Sequence, residues 1–311
     1  MYKDQYDDYE DIKRFYKSKT QYQELLNDLD YYYSLFENMN FFVNNFYIVI
    51  NSFKSVKTFD KFTEDNILEI FNDYLENTKT TTHLDLGHML YNSRNTLYSI
   101  RNCVEVLNVS DAMTLFRKFK DDLLLFVYFL KLSKASEEEY NTEEKLEKYN
   151  AHVKNAFDWS NNKLSDFYSH NAIKYLKKDN KIKKLSKSTS ILSDLFKLNE
   201  GLNNFAHSNG ISYITKYNPV HEVKQMMIFL GYMKRELNKV IATILTITFY
   251  LSPGYLASTD YVDYLDAGLT PPKGTQYIVA SYLQDYIDNK IFKVNPKLKE
   301  FLVNNSCMNI K

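Results

Sequence analysis

Residues 123–130 read LLLFVYFL, eight consecutive apolar or aromatic residues on a segment that Ser110 is placed to cap as a helix. A helix apolar on every side has no face to give to water, so it must lie at the centre of other helices. Eight residues fall far short of the roughly 20 that cross a bilayer, and 240–251, the other apolar stretch, is interrupted by threonines. A buried core helix is therefore expected, and no membrane span. Seven glycines and five prolines in 311 residues leave little material for hairpins or phosphate-cradling loops. The fold class expected is all-α, a multi-helix bundle with a long N-terminal helix.

Periodicity assigns the bundle's other parts. Tyr22, Leu25, Leu29, Tyr32, Phe36, Met39, Val43, Phe46, Ile50 and Phe53 keep a three-four alternation, which reads either as one long helix along a bundle or as a dimerisation helix. Thr63 can cap a helix over 64–77, and TKTTTH after it reads as a joint. The division expected is an N-terminal helical segment at 1–80, a main bundle at 81–252 and a C-terminal extension at 253–311 packing back on it. Within the bundle, a helix over 83–107 carries Leu86, Leu90, Leu97, Ile100 and Val104 on one side, and His88, Asn92, Asn95, Asn102, Arg94 and Arg101 elsewhere. Asn141 and Glu144 resemble a capping box opening a helix that turns Leu146, Tyr149, Val153, Phe157, Leu164 and Phe167 inward, with Trp159 near its middle. Asn218 and Pro219 open the last long helix, which SPG at 252–254 closes. The extension holds Asp260, Asp263 and Asp266 and one final helix near 276–290.

Charge and cysteine usage narrow the function classes. Basic and acidic residues both total 39, so there is no global attraction to nucleic acid or acidic membrane. The one concentrated charge lies at 174–187, seven lysines against Asp179 alone. It reads as a solvated connector or, through Lys177, Lys178, Lys181, Lys183 and Lys184, as a holder of RNA phosphates. Cys103 and Cys307 stand alone, suggesting neither a disulfide framework nor a zinc site, and fit a reducing cytoplasm; the charged start lacks the pattern of a signal peptide. His83 and His88 are five apart, no HExxH occurs, and the three aspartates lack the glycine and distal glutamate of a calcium loop. No metal and no cofactor are expected.

The stretch STSILSDLFKLNEGLNNFAHSNG at 188–210 is expected to be a helix with Ile191, Leu195, Leu198, Leu202 and Phe205 on one stripe. Glu200, Asn203, Asn204 and His207 share its polar face. A central apolar helix with a histidine-bearing helix end resembles the HEPN superfamily, over about 83–251, with LNNFAHSNG at 202–210 as the quotable match. The resemblance implies a helical bundle and, in many members, a metal-independent endoribonuclease of bacterial phage-defence or toxin systems. It carries His207 over as the histidine that takes a proton from a ribose hydroxyl, with Asn203 and Asn204 orienting the backbone. The family's arginine, a few residues before the histidine, is replaced by Glu200, Gly201 and Leu202. Arg94 or Arg101, or an arginine of a second subunit, would have to supply the guanidinium. The other reading of His207 and the asparagines is as helix-end groups bonding exposed carbonyls. Two functions stand side by side: an RNA-directed protein with His207 as base, or a catalytically silent helical scaffold serving homo-oligomerisation or docking of a helical partner.

Overall fold

The computed structural model describes residues 2–43, 47–56, 72, 76–134, 139–163, 169–189, 195, 198, 202–203 and 223–311. The order is α1 (Tyr2–Lys17), α2 (Thr20–Val43), β1 (Tyr47–Phe53), β2 (Thr78–Asp85), α3 (Leu86–Glu105), α4 (Val109–Leu132), α5 (Glu143–Ser160), α6 (Ser169–Lys178), α7 (Asn180–Thr189), α8 (Val223–Leu251), α9 (Asp260–Asp266), α10 (Ser281–Tyr286) and α11 (Pro296–Asn305). The described residues form a multi-helix bundle with one two-stranded sheet.

The all-apolar run sits where its composition sends it. Leu123, Leu124, Phe126, Val127, Tyr128, Phe129 and Leu130 are buried in α4, which packs against α3, α6 and α8. Each such side chain contributes about 1.5–3 kcal/mol by leaving water. Threonines inside α8 are tolerated there because the Thr246 and Thr248 hydroxyls donate to the carbonyls of Ala242 (2.7 Å) and Ile244 (2.9 Å), one turn back. No described helix is long and apolar enough to cross a membrane.

Several sequence expectations need correction. The seam from Tyr22 runs helical only to Val43; its residues through Met39 are buried against α3 and α8 of the same chain. Beyond it, YIVINSF is strand, because β-branched residues alternate there, Ile48 and Ile50 buried and Val49 exposed, a period of two concealed within the three-four pattern. The supposed joint TKTTTH is its antiparallel partner, with Ile50 opposite Thr82 and Tyr47 opposite Asp85. This pairing runs across the boundary drawn at residue 80, and α5 packs over both strands. The Asn150 side chain on α5 accepts from Phe53 N (2.9 Å) and donates to its carbonyl (2.6 Å), standing in for a third strand at that point.

Helix ends shift by one or two residues. Asn108, not Ser110, caps α4, accepting from Asp111 N, after Leu107 turns the chain with φ 57°. Thr142 rather than Asn141 caps α5, and Trp159 stands at its end, not near its middle. The lysine stretch is no connector but two short helices, α6 and α7, bent at Asp179, whose carboxylate accepts from Ile182 N at 2.8 Å. The final helix starts at Ser281, passes through a π-helical turn at Ile287–Ile291, and is followed by α11. Most of the helix expected over 64–77, most of 188–208 and the Asn218–Pro219 start lie outside the described residues; Leu195, Leu198 and Leu202 are described and buried.

Candidate functional site

The two candidate arginines are engaged with α2. Arg94 Nη1 lies 3.0 Å from Glu37 Oε1, its guanidinium packs over the rings of Tyr33 and Tyr91, and Nη2 donates to Asn95 Oδ1 at 3.4 Å. Arg101 pairs with Asp30 (2.5 Å) and Glu105 (2.8 Å), and hydrogen bonding to Asp30 raises its pKa further. Asn203 is described and half-buried, while Asn204 and His207 lie outside the described residues, so their arrangement with the arginines does too.

Of the five candidate lysines, two meet at one place. Lys178 and Lys183 line a cleft of about 470 Å³ between α5 and the α6–α7 bend, and Lys145 and Lys148 stand on its α5 side. Lys177 and Lys181 are exposed elsewhere, and Lys184 donates to Asn305 Oδ1 on α11 at 2.7 Å. Among the described residues Lys178 and Lys183 have no ion pair, whereas Lys148 pairs with Glu144 and Lys145 donates to Asn141 at 2.9 Å.

Four rings line the cleft: Tyr140, Tyr149, His152 and Tyr175. The Tyr140 and Tyr175 hydroxyls share a 2.7 Å hydrogen bond, and the His152 ring lies 4.3 Å from that of Tyr175. His152 Nδ1 is 3.0 Å from the Tyr128 hydroxyl. Burial, with Lys178 adding repulsion, lowers the His152 pKa to about 4, so the imidazole is neutral at pH 7. Burial likewise raises the hydroxyl pKa values of Tyr128, Tyr140 and Tyr175, leaving them protonated donors.

A charged anchor holds these walls together. Lys131 of α4, fully buried, pairs with Glu139 and with Asp179 Oδ2 at 2.9 Å. Burial opposes its charge, but Asp179 and then Glu139 outweigh that and keep its pKa above the usual lysine value. Asp179 therefore serves twice, capping α7 and fixing the α6–α7 bend on α4. Lysines outnumber carboxylates along the lining, so the cleft is suited to an anion. Among the described residues no group of three or more histidine, cysteine or acidic side chains is placed to hold a metal.

Sequence reasoning missed Lys145, Lys148 and His152. Their spacing of three and seven from Lys145 marks one helix face, a readable signal, and Tyr149 beside them is buried, as the core reading of it expects. No protein-family model matches the chain, and no curated protein and no solved structure matches it either.

Proposed function

We propose that this chain is an RNA-directed helical protein that holds RNA phosphates in the cleft between α5 and the α6–α7 pair. The observation that carries this reading is the set of four ammonium groups, from three helices, around a lining of three tyrosines and a neutral histidine. Lysines supply phosphate affinity that is independent of sequence and falls with salt. Of the rings beside them, the half-buried Tyr175 and His152 suit an unstacked base or ribose, which is how single-stranded RNA is commonly held, while Tyr140 and Tyr149 are buried behind them.

The described residues support binding better than cleavage. A histidine with a pKa of about 4 is a weak proton acceptor, since a general base works best near the operating pH. On the HEPN-like reading, which would put the protein in a phage-defence or toxin setting, His207 would be the base. Arg94 and Arg101 would then have to leave Glu37 and Asp30 to reach a phosphate. Those pairs favour the second reading, a catalytically silent scaffold.

The test is binding of labelled single-stranded RNA by the full chain and by a Lys178→Glu/Lys183→Glu variant over a salt series. We expect at least a tenfold loss of affinity and a log-log salt slope shallower by about 1.4, two phosphate contacts at about 0.7 each. Unchanged affinity, or no binding by the parent at low salt, overturns the reading.

A further inference from the structure

Lys145, His152 and Trp159 are seven residues apart in turn, so they follow one stripe of α5, with His152 and Trp159 about 10 Å apart along its axis. Trp159, the only tryptophan in the chain, lines a second cleft of about 440 Å³ between α3 and α4. Its indole is seated on Phe129, with ring centroids 4.8 Å apart. Facing it are Asn92, Asn95 and Ser99 of α3, all exposed, and the Lys118–Asp122 ion pair of α4.

These groups differ in kind from those of the lysine cleft. The two amides supply N–H donors, with the Asn95 oxygen already accepting from Arg94; the Asp122 carboxylate, held beside Lys118, accepts; and the indole gives a flat apolar wall. Ser99 donates to the Asn95 backbone carbonyl at 3.1 Å, which leaves its oxygen lone pairs to accept. Lys118 matches the Asp122 charge, so the cleft favours a neutral, planar, hydrogen-bonding ring over a phosphate. Among nucleobases, guanine alone presents an N–H and an amino group side by side on its Watson–Crick edge, the partner an acceptor-only carboxylate prefers.

We infer that the α3–α4 cleft is a nucleobase subsite, taking guanine by preference, with the base against the Trp159 indole and its edge on Asn92, Asn95 and Asp122. The inference rests on the RNA reading for its biological ligand. A stacked strand advances about 3.4 Å per phosphate, so the 10 Å along α5 spans about three nucleotides between phosphate cleft and base subsite.

The sole tryptophan supplies the assay: guanosine, which has no phosphate, is titrated against the full chain while Trp159 emission is followed. A saturable change is expected, with uridine at least tenfold weaker. Asn95→Ala, at an exposed position, should weaken both nucleosides. Asp122→Asn should remove the preference for guanosine. No saturable response to either nucleoside, or a guanosine preference unaltered in Asp122→Asn, overturns the subsite. The lysine double variant separates the two proposals. Its loss of RNA binding together with a silent parent nucleoside titration sinks the subsite alone, and a guanosine response with RNA affinity insensitive to that variant sinks the phosphate cleft alone.

Discussion

Replacing His152 with glutamine should flatten the pH dependence of stability between pH 7 and pH 5. The imidazole has its pKa lowered from 6.5 to about 4 in the folded chain, first by burial and then by Lys178. Between those values the unfolded state binds the proton and the folded state does not, so stability falls as pH falls through 6.5 and levels off near 4. The full shift gives about 1.8 kcal/mol between pH 7 and pH 5, and solvent reaching the open side of the ring reduces this to about 1 kcal/mol. The groups around the ring are Tyr128 of α4, Tyr175 and Lys178 of α6, and Lys145, Lys148 and Tyr149 of its own helix. Glutamine keeps a polar side chain at the position without a titrating ring, so the difference between parent and variant isolates the imidazole. Urea unfolding at pH 7, 6 and 5 measures it. Parent and variant curves that shift in parallel would refute the buried, neutral imidazole.

Three further outcomes follow from the packing. Asp179→Ala leaves Lys131 buried with Glu139 alone and uncaps α7, and it should cost about 3–5 kcal/mol in chemical denaturation; a loss under 1 kcal/mol would show that the anchor contributes little. Lys120 is fully buried with its ammonium 3.0 Å from Asp121 Oδ1, and Asp121 keeps Arg117 as a second partner. Lys120→Met should therefore be neutral or stabilising by about 1 kcal/mol, and a marked drop in melting temperature would contradict this. Helix α9 buries no residue, and Leu265 is 50% exposed, so Leu265→Asp should change unfolding free energy by no more than about 0.5 kcal/mol.

How much of the fold could be read depended on how much of each signal was local. The 123–130 run announced its own burial, because an all-apolar helix has one place to go. Ile50 did not, since it also fits the three-four alternation that begins at Tyr22, and only pairing with a strand about 30 residues later tells helix from strand there. TKTTTH looked like a joint because strand propensity depends strongly on the partner strand, and threonines gain their value from the strand opposite. The apolar pattern of the sequence continues through Leu164 and Phe167 and so puts Trp159 mid-helix, whereas α5 closes at Ser160.

The site was legible in pieces rather than as a site. The lysine stretch was visible as charge, yet what gives two of its lysines a shared direction is the bend at Asp179, and that bend exists because a carboxylate in the sequence's one basic tract is drawn to a lysine 48 positions earlier, on the central helix. A charge count treats Asp179 as a minor dilution of the run; the fold makes it the pivot. The same reasoning explains Arg94 and Arg101. Their shared direction along α3 was readable from a spacing of seven, but the acids awaiting them, Glu37 and Asp30, are also seven apart on another helix, and only the packing of α2 on α3 brings the two sets together. Matching heptad spacing of opposite charges on two helices is itself a sequence signal for a helix pair, and here it argues that the arginines serve α2 before they serve any phosphate.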